Sequence, residues 1–193
     1  MAKTSEEARD TREQILAAGR LMVQAHGYNA LSFRELAKDV GIKSASVHYH
    51  FPAKGDLAAA LASRYADEAD AFLGELAASG QPHEVLMAAY AGAFRVALEN
   101  DNRMCLCGIM TAEYDDLPAE ARVEVDRFAQ INVEWLAARL MERDLTLAPE
   151  AIEQRAVAMF AAIEGAQLIA RGRKDPAAFD GIIETYRAVG LLG

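Results

Sequence analysis

No stretch of this 193-residue chain alternates apolar and polar residues in the way that a half-buried β-strand does. Alanine, the best helix former, occupies 40 positions, whereas the chain has 13 glycines and 5 prolines. Four prolines each open an apolar-periodic stretch, as is typical of a first helical turn: Pro82, Pro118, Pro149 and Pro176. The pattern predicts an all-α protein with helices near residues 5–26, 33–40, 44–51, 55–78, 82–100, 103–114, 118–143, 150–172 and 176–190.

The composition is typical of a globular protein rather than a disordered, membrane or disulfide-rich one. Hydrophobic residues make up 52% and charged residues 25% of the chain, which is enough to bury a sizeable core. No apolar run approaches the roughly 18 residues of a membrane-spanning helix, and the polar, acidic start is unlike a signal peptide. Two cysteines, Cys105 and Cys107, cannot form the disulfide framework of a small secreted domain. We therefore expect a cytoplasmic protein without a membrane partner.

Charge is distributed unevenly along the chain. The net charge is −9 overall, but residues 1–55 carry +2 and residues 56–193 carry −11. Only the N-terminal part is therefore a candidate for facing a polyanion. The acidic remainder is consistent with a solubilising surface, or alternatively with a helical adaptor that binds other proteins.

The first predicted helix has one apolar stripe and a defined end. Its stripe, with steps of three and four residues, is Ile15, Ala18, Met22 and Ala25. Gly27 then allows the left-handed conformation that ends a helix. The helix is therefore separate from the short helices that follow.

Two short helices follow, joined by a tight turn. Ser32 and Glu35 fit a capping box at the start of the first, and Gly41 ends it after two turns. Ser44, a second candidate N-cap, begins a helix that extends to Phe51 and follows too closely to lie antiparallel to its predecessor. Two short helices around a glycine-containing turn are typical of the helix-turn-helix.

The second short helix carries side chains suited to binding DNA. In a helix-turn-helix this helix enters the major groove, while the first helix contacts the backbone. Val47 and Phe51, four residues apart, can face inward and anchor it, and Arg34 can bind a phosphate. The candidate hydrogen-bond donors are Lys43, Ser44, Ser46, His48, Tyr49, His50 and Lys54. The alternative is a solvated polar helix in an α-helical bundle.

The same region carries a family signature. Its positions, within about residues 10–60, are Gly27-Tyr28, Leu31-Ser32, Leu36-Ala37, Val40-Gly41-Ile42, Ser46-Val47, Tyr49-His50-Phe51, Lys54 and Leu57. This pattern resembles the N-terminal domain of the tetracycline-repressor (TetR) family. The resemblance implies a homodimeric regulator, usually a repressor, that binds a double-stranded DNA operator of palindromic sequence. It also implies release when a small-molecule inducer enters the C-terminal domain.

The resemblance further implies a domain division and a set of DNA contacts. A helix-turn-helix domain at residues 8–55 and a linking helix at 55–78 would precede a ligand-binding and dimerisation domain at 79–193. The residues on the family's DNA-contact positions are Ser32, Arg34, Ser44, Ala45, Ser46, His48, Tyr49, His50 and Lys54. His48 stands where the family usually has a tyrosine, which allows a pH-dependent phosphate contact. Gly55 replaces a common acidic residue.

The last two predicted helices are candidates for dimerisation. Small and large apolar residues alternate on them and allow helices to approach closely, although burial within the chain explains the periodicity equally well. The resemblance favours a four-helix bundle between two subunits. The candidate interface residues are Phe160, Ile163, Gln167, Leu168, Phe179, Ile182, Ile183 and Tyr186.

A ligand pocket between helices is the default expectation for such a C-terminal domain. The candidate lining residues are Met104, Cys105, Ile109, Met110, Tyr114, Phe128, Trp135 and Met159. The alternative is that these side chains are ordinary core. Tyr114 and Trp135 are the stronger candidates, since their polar tips need partners when buried.

Cys105 suggests an alternative way of sensing within the same fold. Cys105 and Cys107 lie two positions apart on a predicted helix, so they point apart and cannot form a relaxed disulfide. If Asn102 caps that helix, Cys105 lies in its first turn, where the helix dipole and Arg103 favour a thiolate. The alternative is thus a repressor released by thiol-reactive or oxidising compounds, and a buried, inert thiol is the simpler interpretation.

No catalytic or metal-binding motif stands out in the sequence. The G-x-S-x-G, H-E-x-x-H, Walker-type and dinucleotide-binding strings are absent, which weakens the alternative of an all-α enzyme. The four histidines lack cysteine or carboxylate partners at ligand spacing. Asp115 and Asp116, before Pro118, are interpreted as loop charges. We expect a protein that is not an enzyme and has no metal or cofactor.

Overall fold

The computed structural model describes residues 2–143 and 148–192. Its helices are α1 (Ala2–His26), α2 (Phe33–Val40), α3 (Ser44–His50), α4 (Lys54–Ala78), α5 (His83–Glu99), α6 (Leu106–Thr111), α7 (Ala119–Arg143), α8 (Pro149–Arg173) and α9 (Pro176–Ala188). A 3-10 turn lies between α6 and α7, and the described residues contain no β-strand. The all-α prediction is confirmed. None of the described helices is long and apolar enough to cross a membrane.

Local chemistry sets most helix ends where the sequence predicts them. Pro149 and Pro176 occupy the first turns of α8 and α9. The Asp175 side chain caps α9 by accepting a backbone N–H hydrogen bond of 2.9 Å. Gly41 follows α2 in the left-handed conformation, with φ 76°, and its N–H points back to the last turn.

The sixth helix is shorter than the predicted 103–114, with only six residues, and a 3-10 turn follows it at Tyr114–Asp116. Asp101 and Asn102 have positive φ angles of 59° and 55°, so the chain turns there instead of starting a helix. Asn102 therefore does not cap α6. Its side-chain amide donates to the Arg171 carbonyl at 3.1 Å instead.

The described residues divide into two compact units. Unit 1 contains the residues up to Tyr65 together with Leu106–Asp126, and unit 2 contains Ala66–Cys105 and the residues from Arg127 onward. Helices α4 and α7 each contribute to both units. The sequence predicts only the division within 55–78. It does not predict that Leu106–Asp126 belongs to unit 1, because contacts between distant segments leave no local pattern.

In unit 1, α1 packs against α2, α3 and α6. The core positions of α1 are Ile15, Leu16, Gly19 and Val23. The predicted stripe is therefore wrong in part, since Ala18, Met22 and Ala25 are only half-buried. Ile15, Gly19 and Val23 follow one another at steps of four and Leu16 flanks them, so packing against the neighbouring helices selects a face rotated from the predicted one.

In unit 2, α5, α8 and α9 pack against one another. Five rings from α5, α7 and α8 form a connected group, which we name the aromatic cluster. Tyr90 is stacked on Trp135 at 5.1 Å between centroids and meets the edge of Phe94 at 5.5 Å. Phe160 extends the group, at 6.4 Å from Phe94 and 6.2 Å from Phe128. Contacts of this kind add specific geometry to the burial of large apolar surfaces.

Gly41→Ala is expected to destabilise the protein by about 1 kcal/mol, because a side chain at this positive φ is strained. The matched change Gly74→Ala, at an exposed position inside α4, is expected to stabilise it by roughly 0.5–1 kcal/mol, since glycine weakens a helix interior. Urea unfolding followed by circular dichroism measures both free energies. Effects of the same sign would contradict the left-handed turn.

Candidate functional site

Helices α2 and α3 form the predicted helix-turn-helix, and local hydrogen bonds begin each of them differently. Ser32 Oγ accepts a hydrogen bond from the Glu35 N–H at 3.4 Å, as the capping box predicts. α3 has Lys43 in the N-cap position, and its side chain makes no capping bond. The predicted cap at Ser44 is therefore wrong, because Ser44 is already the first residue of the helix.

Burial of one face determines which side of α3 points outward. Val47 is fully buried and Phe51 is 3% exposed, so the predicted anchors are confirmed. Tyr49 lies between them, about 200° from Val47 around the helix, and is 79% exposed. The remaining predicted DNA-contact residues are exposed (Arg34, Lys43, Ser44, Ala45 and His48) or half-buried (Ser32, Ser46, His50 and Lys54).

The imidazole of His48 lies between α2 and the end of the motif. Its ring centroid is 4.8 Å from that of Phe33, edge to face, and Nδ1 is 3.4 Å from the Pro52 carbonyl oxygen. The rings of Tyr49 and His50 meet edge to face at 5.1 Å. These contacts limit the directions in which the three polar side chains extend.

Lys54 is held within unit 1 by a cation–π contact and a hydrogen bond. Its Nζ lies 4.2 Å from the centre of the Tyr28 ring and donates to the Asn29 carbonyl at 3.1 Å. Desolvation lowers the pKa of Lys54, and the carboxylates of Glu113 and Asp116 oppose that change. The ammonium group therefore helps to fix the start of α4 against the turn after α1.

Two carboxylates from the segment after α6 also bind the turn after α1. Glu113 accepts hydrogen bonds from the N–H groups of Tyr28 and Asn29, the second at 3.4 Å. Asp116 Oδ2 accepts from the Asn29 side-chain amide at 2.7 Å. Gly27 has φ 87°, and a Cβ there would lie 2.6 Å from Glu113 Oε2. Asp116 is an exposed charge in the connection between α6 and α7, as interpreted from the sequence, and it also has a partner 87 residues away.

The eight predicted ligand-pocket residues belong to both units. Those of unit 2 are Met104, Cys105, Phe128, Trp135 and Met159, and those of unit 1 are Ile109, Met110 and Tyr114. All except Ile109 and Tyr114 are buried. Phe128 and Trp135 are members of the aromatic cluster.

The polar tips of the two strongest pocket candidates have partners within the protein. Trp135 Nε1 donates to the Leu73 carbonyl at 2.9 Å. The Tyr114 hydroxyl donates to Asp126 Oδ2 at 2.8 Å, and this hydrogen bond raises the pKa of Tyr114. Neither tip needs a ligand to complete its hydrogen bonding.

Glu164 on α8 is a buried acid that the sequence analysis missed. Both of its carboxylate oxygens are shielded from solvent, and among the described residues no N–H or O–H group donates to either, which leaves the weakly donating Cys105 thiol as their polar neighbour. Burial raises the pKa of Glu164 to about 7, and the neighbouring Cys105 thiol opposes this rise. Burial also raises the pKa of Tyr90, and the charge of Glu164 is the second-largest cause of that rise. The Tyr90 hydroxyl donates to Asn132 Oδ1 at 3.0 Å. In the sequence, a glutamate on an amphipathic helix resembles an ordinary surface residue.

The surroundings of Cys105 differ from those predicted. It precedes α6 and is 1% exposed. Its N–H donates to Gln167 Oε1 at 2.9 Å, while Arg103 binds the backbone and side-chain oxygens of Asn100, both at 2.8 Å. The two supports for a thiolate, a helix first turn and Arg103, are therefore wrong.

Half of the predicted dimer-interface residues are buried in their own chain, namely Ile163, Gln167, Phe179 and Ile183. The core of unit 2 covers them, so they do not form an exposed interface, and this part of the prediction is corrected. Gln167 Nε2, for example, donates to the Phe94 carbonyl at 2.6 Å. The other four are half-buried (Phe160, Ile182 and Tyr186) or exposed (Leu168, 58%).

A groove of about 750 Å³ runs between α5 and α9 in unit 2. Phe179 and Ile183 line it, whereas none of the predicted pocket residues does. Arg95 at its border binds Asp180 through two hydrogen bonds of 2.6 and 3.0 Å and also binds Glu99. Its guanidinium is therefore engaged within the protein.

No group of three or more histidine, cysteine, aspartate or glutamate side chains in the described part of the chain could hold a metal ion. His83 Nε2 is shielded and has no hydrogen-bond partner. Burial lowers the pKa of His83, and the nearby Arg143 and Arg139 lower it further. This histidine therefore favours its neutral form.

Glu164→Gln is expected to stabilise the protein at pH 8, where wild type must keep a buried, unpartnered carboxylate ionised. The folded-state pKa near 7 lies above the unfolded value of about 4.5, so wild type loses stability as the pH rises between them. The full cost is on the order of 3 kcal/mol. Thermal and urea unfolding at pH 4 and pH 8 measure it.

Glu153→Gln, at an exposed position on the same helix, is the control for loss of one charge. We expect the two variants to differ at pH 8 and to converge at pH 4. If Glu164→Gln were no more stable than Glu153→Gln at pH 8, the buried carboxylate would not carry this cost.

The helix-turn-helix region matches the family model described as bacterial regulatory proteins, tetR family, over residues 15–61. Comparison with curated proteins gives no significant match.

Solved structures extend the likeness beyond the helix-turn-helix. A TetR transcriptional regulator from Legionella pneumophila is 28% identical, with a TM-score of 0.85 and coverage of 92% of this chain and 95% of that one. A TetR-family regulator from Agrobacterium tumefaciens is 30% identical, with a TM-score of 0.83 and coverage of 91% and 94%. A regulatory protein TetR from Rhodobacter sphaeroides, 19% identical with a TM-score of 0.81 and coverage of 90% and 95%, shares the fold. With the motif, the fold and a 30% identical relative in agreement, this chain belongs to the TetR family of transcriptional regulators.

Proposed function

We propose that this protein is a homodimeric repressor in the cytoplasm that binds a palindromic operator through α3 and is released by a small-molecule inducer bound in unit 2. The observation that carries the proposal is the outward projection of Tyr49, 79% exposed, from a helix whose other face is anchored by the fully buried Val47. In a helix-turn-helix the outward face of the second helix enters the major groove, so a side chain projecting from that face is placed to reach base edges.

The exposed side chains of the motif divide into two kinds of DNA contact. Arg34 and Lys43 carry charges suited to phosphates, which set affinity and register. Ser44, His48 and Tyr49 have the hydrogen-bonding groups that reach base edges in the major groove. The positive balance of residues 1–55 favours approach to DNA by this end of the chain.

Chain connectivity supports a route by which a ligand releases DNA. The first segment of unit 2 ends at Cys105, and the next residue begins the segment Leu106–Asp126, which belongs to unit 1. Within that segment, Glu113 and Asp116 bind the turn between α1 and α2. A ligand that prefers one conformation of unit 2 therefore acts on a segment attached directly to the helix-turn-helix, and it shifts the population of DNA-binding conformers by its differential affinity.

We propose that the dimer forms through the outer face of α8. This proposal replaces the set of interface residues predicted from the sequence. That face lies opposite the buried side of the helix and consists of apolar or small residues at steps of four, four, three and four: Val157, Ala161, Gly165, Leu168 and Gly172. Val157 and Leu168 are 48% and 58% exposed. Small residues between larger ones let two helices pack closely, and a self-complementary stripe suits a two-fold dimer.

Tyr49→Ala is expected to weaken operator binding by about tenfold or more, because it removes a recognition contact worth about 1–3 kcal/mol while leaving the core intact. The probe is the tightest-binding duplex selected by the wild-type protein from a random-sequence library. Binding is measured by fluorescence anisotropy at fixed salt.

Val123→Ala, which shortens a side chain that is 63% exposed in unit 1, is the matched control and should bind as wild type does. Unchanged affinity of Tyr49→Ala would remove α3 from the interface. Failure of the wild-type protein to enrich any sequence would contradict the proposed function itself.

Leu168→Glu is expected to convert the dimer to monomers, because two buried carboxylates would face each other across the two-fold axis. Val85→Glu, on α5 at a position 48% exposed, introduces the same charge elsewhere in unit 2 and should leave the dimer intact. Sedimentation velocity distinguishes the two states. A Leu168→Glu dimer would show that α8 does not form the interface through this face.

A further inference from the structure

Glu164 occupies an unusual position in the core of unit 2. The residue is half-buried, yet both carboxylate oxygens are shielded and receive no hydrogen bond from an N–H or O–H group of the described residues. It lies on α8 one turn after Phe160, and its charge acts on the Tyr90 hydroxyl of α5. The neighbouring titratable groups are therefore that phenol and the Cys105 thiol.

The surrounding amide and hydroxyl groups satisfy one another, so that the Cys105 thiol is the polar group left beside the carboxylate. Gln167 accepts from the Cys105 N–H at 2.9 Å and donates to the Phe94 carbonyl at 2.6 Å. Asn132 accepts from Tyr90 at 3.0 Å and donates to the Phe128 carbonyl at 2.8 Å. The core thus pairs its buried amides but provides no N–H or O–H donor for the carboxylate, which costs more free energy to desolvate. This pattern is expected of a hydrogen-bond acceptor whose partner is a ligand.

The walls near Glu164 suit a cation. Tyr90 and Phe160, from two different helices, both contact Phe94, at 5.5 and 6.4 Å between centroids. Aromatic faces attract organic cations through the ring quadrupole, more strongly when water is excluded. Phe160 is only half-buried, so the aromatic cluster reaches the surface of unit 2 on the side of α8 that carries Glu164.

We infer that Glu164 and the aromatic cluster form the binding site for an organic cation, such as an aryl- or alkyl-substituted ammonium or pyridinium compound. The inference rests on the proposed function and names the chemical class of its inducer. The cation pairs with the carboxylate, and the rings of Tyr90, Phe94 and Phe160 contact its apolar part. An anionic ligand of the same shape is repelled by the same carboxylate. A proton held by Glu164 leaves to the buffer when the cation binds.

The test uses the full-length protein and the fluorescence of Trp135, the single tryptophan of the chain, which is stacked on Tyr90. The probe is 1-methyl-4-phenylpyridinium, and 4-methylbiphenyl is its neutral counterpart of nearly the same shape. We expect wild type to bind the cation more tightly than the neutral compound. Glu164→Gln should weaken cation binding by about tenfold or more and leave the neutral compound unaffected, while Glu153→Gln should change neither.

Calorimetry near pH 7 in two buffers of different ionisation enthalpy gives a second readout. The cation should release protons from wild type and none from Glu164→Gln, a difference that a merely structural glutamate would not produce. No cation binding at millimolar concentration, equal affinity for the two probes, or equal cation affinity of wild type and Glu164→Gln would each overturn the inference.

A parallel measurement of duplex binding keeps this inference separate from the proposed function. Selective cation binding without any DNA binding would reject the regulator while leaving the site intact. DNA binding without cation selectivity would reject the site alone. Release of the bound duplex by the cation, lost in Glu164→Gln, is the result expected when both are correct.

Discussion

Burial of Val47 and Phe51 is the constraint on which the proposed activity depends. These two side chains attach a seven-residue helix to α1 and α2, and a helix this short has little stability of its own. Because one face of α3 is fixed by packing, the opposite face has a fixed direction, and Tyr49 projects from it. The recognition surface is therefore a consequence of the core of unit 1 rather than of helix propensity.

The residues that make up unit 1 suggest how the proposed ligand binding would be connected to DNA binding. The segment Leu106–Asp126 connects the two segments of unit 2, yet its carboxylates Glu113 and Asp116 bind the backbone and side chain of the turn after α1. Charge-assisted hydrogen bonds to backbone N–H groups are directional and stronger than neutral ones. Lys54, held to the same turn, makes the start of α4 part of the same arrangement.

Sequence patterns predict the features that local chemistry controls. Most helix positions, the cap at Ser32 and the left-handed turn at Gly41 depend on residues within a few positions of each other, and they agree with the structure. The short α6 and the half-buried Ala18 and Met22 depend on packing between distant segments, which periodicity does not encode.

The same division holds for the candidate sites. The inward positions of Val47 and Phe51 follow from their spacing, whereas the burial of Gln167 and the isolation of Glu164 depend on which helices meet α8. A glutamate or glutamine in an amphipathic helix indicates a solvent-facing position by default, and only tertiary contacts reverse that expectation. The residues that carry the new inference are thus those for which sequence reasoning has no signal.

If the protein acts as proposed, two copies of α3 lie in successive major grooves of one duplex. Methylation interference at guanine N7, which lies in the major groove, examines this on a duplex selected by the protein. We expect two clusters of interfering guanines related by two-fold symmetry and separated by about one helical turn, roughly 10 base pairs. A single cluster, or interference confined to minor-groove positions, would show that α3 does not bind DNA in this way.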